Sequence, residues 1–519
     1  MIPHTIHALT LHLVSATHHP PTTCRHGVYL LSRRWCGRLV GLLLRLQEAT
    51  SPRTSPPGPK GWPLLGNVTD LPSSQAWVKF TALGRQYGGI VYLNALGRSI
   101  IILNDAKYAF DMLAKKSRNY SDRPKLMMAG QLVGWGEGPA LIPFSETWLE
   151  YRRLFSQFIG SRSKVEGFQT VLQDETRNYI NSILDNPEVW VQHTQRLAGA
   201  IVLKITYGYS AEPHDDPLVR LVDEAMDQFS ETTGINAYMV DFFPILRFVP
   251  EWFPGASWKR KAAKYRETLA QMLDVPYNLV KQRMADGMAQ PSFVSQALAD
   301  AQLDPKQERN IQWAAAGVYS GGADTTVGGI ECFFLAMTRH TAEQIKAQGE
   351  IDAALGFGHL PTLSDRSRLP YVEALYVEVM RVYTFGPIGL PHVVSEDDIH
   401  DGYFIPKGTM VITNNWQFFH DPQTYQNPES FDPTRFLGDN NRAKETDPRD
   451  YLFGFGRRTC PGIHLAEATM WLACASVLAS FDIRPPEENG EPVLPEPRFM
   501  DGSISHPEHF ECIIRPRTA

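Results

Sequence analysis

Residues 306–340 read as one unbroken helical pattern. At 1.5 Å per residue it would run about 50 Å, long enough to cross a whole globular domain. The rest of the chain must therefore be built around it. The segment holds Gly317, Gly321, Gly322, Gly328 and Gly329. Each interior glycine costs about 1 kcal/mol relative to alanine. Small side chains at these places must serve something that lies against the helix. The chain of 519 residues, 43% hydrophobic and 11% aromatic, has apolar material enough to surround such a helix. That composition excludes collagen-like, low-complexity and wholly disordered chains.

The remaining sequence is organised as one large body behind a short leader. Helical patterns fall near 105–116, 145–159, 165–184, 188–208, 215–233, 257–286, 341–355, 370–384 and 461–480. Ile90–Leu93 and Ser99–Leu103 read as a strand pair around Gly97. Short strands near 402–405 and 410–413 flank Pro406-Lys407-Gly408. The net charge of −6 argues against a nucleic-acid partner. Six scattered cysteines without a Cys-x-x-Cys pair indicate neither a disulfide framework nor a zinc cluster, and suit a reducing compartment.

The leader, residues 1–50, has no acid before Glu48. Its most apolar stretch, 28–46, carries Arg33, Arg34, Arg38 and Arg45. Four arginines at roughly +2.5 to +3.5 kcal/mol each outweigh its apolar side chains, which argues against a spanning helix. Arg34, Arg38 and Arg45 share one arc of a helical wheel, so an interfacial amphipathic anchor fits. A transit peptide and a mis-assigned first exon stand as the other readings. Residues 51–64 form a hinge: Ser55-Pro56-Pro57-Gly58-Pro59-Lys60-Gly61-Trp62-Pro63 can form neither helix nor sheet. The body is then 65–519.

The most specific chemistry lies at Phe453-Gly454-Phe455-Gly456-Arg457-Arg458-Thr459-Cys460-Pro461-Gly462, just ahead of an apolar helix. A metal-binding cysteine must be deprotonated, which nearby positive charge favours. Arg457, Arg458 and the coming helix N-terminus are expected to supply it. Glycines allow close approach of a flat group. One cysteine without neighbouring ligands excludes a tetrahedral zinc site built from this loop. It suits a haem iron, with one axial thiolate and the opposite face open.

Phe453, Gly456, Arg458, Cys460 and Gly462 match in full the Phe-x-x-Gly-x-Arg-x-Cys-x-Gly pattern of the cytochrome P450 haem-thiolate monooxygenases, and the chain resembles that family from residue 56 to its end. Chance supplies such a five-position match about once in 10⁴ chains of this length. Other segments resemble the family in the expected order. Glu378-Val379-Met380-Arg381 resembles its Glu-x-x-Arg helix, and Arg435 in Asp432-Pro433-Thr434-Arg435-Phe436 its third charged partner, with Thr434 where the usual glutamate stands. Gly321-Gly322-Ala323-Asp324-Thr325-Thr326 resembles its oxygen-activation segment, and Trp148 with Arg152 its Trp-x-x-x-Arg helix.

The resemblance implies a mainly α fold with small β-sheets, a single large domain enclosing haem b. Cys460 would be the axial ligand, with Phe453, Gly456, Gly462, Gly321 and Gly322 close to the cofactor. Trp148, Arg152, His392 and Arg458 would hold the propionates, and Arg123 is a weaker candidate. Asp324 and Thr325 would relay protons, with the Thr325 hydroxyl bonded back to the preceding turn and opening a groove. Glu378, Arg381 and Arg435 would form a structural charge cluster. Electrons would come from NADPH through NADPH-cytochrome P450 reductase, with Arg153 and Arg457 near its docking face. Substrate contacts are expected from 124–144 (Met127, Met128, Leu132, Val133, Trp135), 235–256 (Phe242, Phe243, Phe248, Trp252, Phe253), the glycine-rich helix, and Phe385 to Leu390. So apolar a set implies a lipophilic small molecule.

The likeness extends to fungal microsomal enzymes of secondary metabolism, of terpenoid or alkaloid type, on the cytosolic face of the endoplasmic reticulum membrane. The rival readings are a haem-thiolate isomerase or dehydratase, which tends to lose the acid–alcohol pair, and a non-catalytic haem sensor, which has no need of it.

Overall fold

A computed structural model describes residues 54–72, 74–234, 238–299, 302–438 and 443–518. The leader, residues 1–50, lies outside them. Ten helices of twelve residues or more frame the described body: α1 (Ala76–Tyr87), α2 (Glu146–Ile159), α3 (Gln169–Asp185), α4 (Trp190–Tyr207), α5 (Pro217–Thr233), α6 (Ser257–Ala285), α7 (Pro305–Arg339), α8 (Thr341–Leu355), α9 (Pro370–Val382) and α10 (Ile463–Ser480).

The central helix α7 spans 35 residues without interruption. Its start is fixed locally. Pro305 occupies the first turn, where its missing N–H costs nothing, and Asp304 and Gln307 cap each other's backbone N–H groups. From Val327 to Thr338 every residue is buried. α2, α4, α5, α9 and α10 pack around it. α10 is apolar on all sides and long enough to cross a bilayer, but 78% of it is buried inside the body, so it is a core helix.

A four-stranded sheet lies to one side. β1 (Ile90–Ala95) and β2 (Arg98–Leu103) are joined by Leu96-Gly97, both with positive φ, as two-residue hairpin turns require. β2 runs parallel to β4 (Met410–Thr413), and β3 (His392–Val393) closes the edge antiparallel to β4. This pairing carries His392 from the far end of the sequence to the sheet edge. The strands flanking Pro406–Gly408 go to different sheets: Tyr403–Ile405 pairs with Asp398–His400. β5 (Phe481–Arg484) pairs with β6 (Ile513–Pro516), which ties the C-terminus to the end of α10.

The expected elements recur with shifted limits. The 165–184 pattern divides at Gly167-Phe168 into a short helix, Arg162–Glu166, and α3. The 105–116 pattern turns from α- to π-helical at Phe110. α10 begins at Ile463, after Cys460-Pro461-Gly462. The proline run of 55–59 is non-helical, and Tyr92 N–H on β1 donates to Pro57 O at 2.8 Å. Gly58 lies so close that a Cβ there would overlap Tyr92 O.

Candidate active site

The loop before α10 is folded by its own backbone. Cys460 N–H donates to Phe453 O (2.8 Å), and Arg458 and Thr459 close a tight turn onto Phe455 O and Gly456 O. Gly454 and Gly456 have positive φ, 76° and 56°, which L side chains resist. A Cβ on Gly456 would also overlap Leu113 O of the π-helical turn. Gly456 is therefore a packing glycine for that turn and does not line the cavity, contrary to the sequence expectation. Gly462 does line it, 3.9 Å from Cys460 Sγ by its Cβ position.

The cavity holds about 400 Å³. Cys460, Phe453 and Arg458 from the loop, Trp148 and Arg152 from α2, His392 from β3, and Gly321, Gly322 and Thr325 from α7 all reach it. Most of the residues expected to hold the cofactor thus line one space, together with Thr325. Asp324 does not line it: on a helix, the next position lies about 100° around the axis.

The electrostatics at Cys460 differ from expectation. Burial pushes its thiol up, while the Gly462 N–H and the Arg152 guanidinium pull it down. Arg457 is exposed and lies over the Phe144 ring, and Arg458 turns toward backbone carbonyls. The compensating cation is therefore Arg152, whose Nη1 donates to Thr459 O at 2.7 Å.

The rim gathers cations on carbonyl partners. Arg458 donates to Ser121 O and Ile142 O, both at 2.8 Å. Arg123 donates to Ala140 O, Leu390 O and Pro391 O. Burial and the nearby Arg458 charge push Arg123 down to about 9, against a smaller opposing pull from Asp122. Burial likewise brings Arg458 down to about 10. His392 is buried and donates from Nδ1 to Tyr120 O (2.6 Å). Burial and the Arg123 charge hold it well below its ordinary range. Buried positive charge facing a cavity is costly without anions. A cofactor bearing two carboxylates fits this donor set, and would return a proton to His392. Arg123 is as fully placed as the others, although its sequence context marked it only weakly.

The α7 glycines divide by neighbour. Gly321 faces open space, Gly322 admits Val202 of α4, and Gly317 admits Pro139. Gly328 and Gly329 lie against Phe385, His506 and Met470 and not against the cavity. Thr325 Oγ1 donates to Gly321 O at 2.7 Å, the expected back-bond, while the helix stays unbroken in secondary structure.

Substrate-side expectations need correction. Of 124–144, Trp135 and Gly138–Ala140 reach the cavity, whereas Met127, Met128 and Val133 are buried in the core. No described residue of 235–256 reaches it. Ile245, Phe248 and Trp252 there are exposed, Trp252 at 79%. Met226 and Phe229 of α5, with Ser503 and Ile504 near the C-terminus, supply that wall. Met226 and Phe229 lie within the 215–233 helical pattern, but nothing local marked the cavity they meet.

The charge cluster exists and is closed. Arg381 binds Glu378 through two parallel bonds of 2.8 Å, and Arg435 Nε donates to the same carboxylate at 3.0 Å. Glu378 and Arg381 are 0% exposed, Arg435 1%. Arg435 is balanced by Glu445 (2.6 Å), so a glutamate ten residues onward does what Thr434 cannot.

Asp324 meets a partner that sequence reasoning missed. His506 Nε2 lies 3.0 Å from Asp324 Oδ1, and its Nδ1 lies 2.7 Å from Glu331 Oε2.

The comparisons with known proteins agree with this arrangement. The cytochrome P450 family model matches residues 56–513. Cytochrome P450 monooxygenase 208 of Postia placenta is 47% identical over 464 residues, 89% of this chain and 90% of that protein. Cytochrome P450 monooxygenase claR of Ampulloclitocybe clavipes is 42% identical, covering 89% and 87%. The O-methylsterigmatocystin oxidoreductase of Aspergillus flavus is 36% identical, covering 93% and 92%. Fold, cavity and likeness converge: the chain belongs to the cytochrome P450 family, and it is a haem-thiolate monooxygenase that takes electrons from a redox partner and acts on lipophilic molecules.

Proposed function

We propose that Cys460 is the axial thiolate and that the enzyme oxygenates a lipophilic small molecule of fungal secondary metabolism, of terpenoid or alkaloid type. One observation carries this reading: a half-buried cysteine, a cationic rim and the Thr325 turn of α7 share one largely apolar cavity. Bound haem supplies the activation of O₂ and its insertion into a C–H or C=C bond. The chain's own residues do the rest. Arg123, Arg152, Arg458, His392 and Trp148 would hold the propionates. Arg152 and the Gly462 N–H favour the thiolate over the thiol. Trp135, Met226, Phe229, Trp313, Phe385 and Ile504 exclude water and orient an apolar substrate. Thr325 holds a proton at Oγ1 beside the cavity, with Asp324 behind it as the resupplying acid.

The partner reading is NADPH-cytochrome P450 reductase. Arg457 is exposed beside the Cys460 loop, whereas Arg153 is paired with Glu150 at 2.6 Å and adds less. Residues 1–50 are read as an anchor or targeting segment and 51–64 as a hinge, with the body held at the cytosolic face of the endoplasmic reticulum membrane. Exposed Trp62, Leu64, Ile245, Phe248 and Trp252 support a membrane-resting surface.

A carbon monoxide difference spectrum of the reduced protein, on membrane and soluble fractions, tests the ligand and the location together. A strongly red-shifted Soret band, lost in Cys460→Ser, is expected in the membrane fraction. Its absence from well-expressed protein would overturn the axial assignment. With reductase and NADPH, Thr325→Ala is expected to raise peroxide released per electron about tenfold or more, against the 10²–10⁴ that a positioned proton donor can contribute. Unchanged coupling would sink the relay.

A further inference from the structure

His506 lies 182 residues from Asp324 in sequence, yet their side chains meet. The C-terminal loop that carries it is held from both sides. Ser505 N–H donates to Phe385 O (2.8 Å), Met500 N–H to His506 O (2.8 Å), and Ser505 Oγ to Met500 O (2.6 Å). Thr233 of α5 bonds Ser503 at 2.8 Å. On α7 the ring lies against Gly328, whose Cβ position would stand 3.4 Å from the imidazole Cε1. The imidazole is thus fixed between Asp324 and Glu331, two carboxylates two turns apart on one face of α7.

We propose that His506 is a positioning residue for the oxygenation reaction: its imidazolium clamps Asp324 from outside the cavity and replaces each proton that leaves by way of Asp324 toward Thr325.

This rests on the relay reading given above and deepens it. Groups face His506 from each packed element. α7 brings Asp324 and Glu331, and α5 brings Asp223 and Asp227. The 384–390 segment has no ionisable side chain. Burial alone would lower His506, but its bonds to Asp324 and Glu331 outweigh that and raise it to about 10. The ring is then doubly protonated at neutral pH, and both nitrogens donate. Proton balance is simple. The Nε2 proton passes to the ionised Asp324 carboxylate, and the carboxyl so formed then gives a proton toward Thr325, which restores the carboxylate. The neutral imidazole is recharged from water at α5, where Asp227 is exposed. Burial and the Asp324 charge raise Asp223 to about 7, so a proton is readily held next to the path.

The test uses the holoenzyme with a cytochrome P450 reductase in phospholipid vesicles and NADPH as the probe. Peroxide released per NADPH oxidised is measured from pH 6 to 9.5 for the wild type, His506→Gln and Thr325→Ala. His506→Gln is expected to release about tenfold more peroxide per NADPH than the wild type at pH 7, the scale of one charge-assisted hydrogen bond. A second readout needs no turnover. The thermal unfolding midpoint of the wild type should exceed that of His506→Gln most below about pH 6.5 and converge with it toward pH 10, because a raised histidine stabilises only while protonated. Equal peroxide ratios, or a midpoint difference independent of pH, would overturn the proposal. If Thr325→Ala alone uncouples, the relay stands and His506 is outside it. If neither uncouples, the relay itself falls. Should His506→Gln lack the carbon monoxide band, Glu331→Gln decides, since it removes one anchor and keeps the ring. A raised peroxide ratio there supports the clamp, and an unchanged one overturns it.

Discussion

Two buried charge networks flank the core, and they are built on opposite plans. Around Glu378, two guanidiniums meet two carboxylates, Glu378 and Glu445, and the remaining N–H groups of Arg381 end on Phe419 O, Pro428 O and Ser430 O. Charge sums to zero and the donors are matched. Around Asp324, one imidazolium faces Asp324, Glu331, Asp223 and Asp227, and one edge is open to water. A balanced, closed network has one low-energy arrangement, which suits a scaffold. An acid-rich network with an exposed edge takes up and releases protons near neutral pH, which suits traffic.

The sharpest way to break the first plan is Arg381→Ala. It removes the two-bond partner of a fully buried Glu378, leaving only Arg435 to face that carboxylate, and should cost about 3–5 kcal/mol, enough to abolish the carbon monoxide band and most folded protein. Denaturant unfolding and the spectrum check it. Glu445→Gln should cost less, about 1–3 kcal/mol, because Arg435 keeps Glu378 and loses only one charged partner. The second plan gives the smallest effect and the opposite sign. Asp223 sits near 7 in the folded protein, above its unfolded value of 3.8. Its stabilising contribution is complete below about pH 4 and is lost as pH rises through 7. Asp223→Asn should therefore be more stable than wild type at pH 8, by on the order of 1 kcal/mol given its partial exposure, and no more stable at pH 4. Unfolding midpoints across that range decide it. A constant offset would mean that the acid network does not titrate as a unit.

How much of this was legible in the sequence follows from how far apart partners stand. The Cys460 loop could be read because its determinants are contiguous. The Glu378–Arg381 and Trp148–Arg152 pairs could be read because they resemble the family's Glu-x-x-Arg and Trp-x-x-x-Arg helices, while i, i+3 and i, i+4 spacing alone only puts each pair on one face. Glu445 and His506 were not, since their partners lie across 10 and 182 residues and only the fold joins them. The glycines of α7 announced close approach, but not to what: Gly321 opens on the cavity, whereas Gly328 and Gly329 admit side chains. The source of charge at Cys460 was misread because neighbours in sequence, Arg457 and Arg458, point elsewhere, while Arg152 arrives from α2. α1 passed unnoticed: its first residue follows a left-handed Gln75 with no side-chain cap, so no start signal marks it.

The loop that ends in His506 also sets an order of events during synthesis. Both α7 carboxylates leave the ribosome 175 residues or more before the imidazole that neutralises them, and the closing strand β6 follows later still. Until translation is almost finished, the central helix carries two acids without their counterion. A chain stopped short of residue 506 would keep every motif by which the family is known and lack the ring that joins those acids.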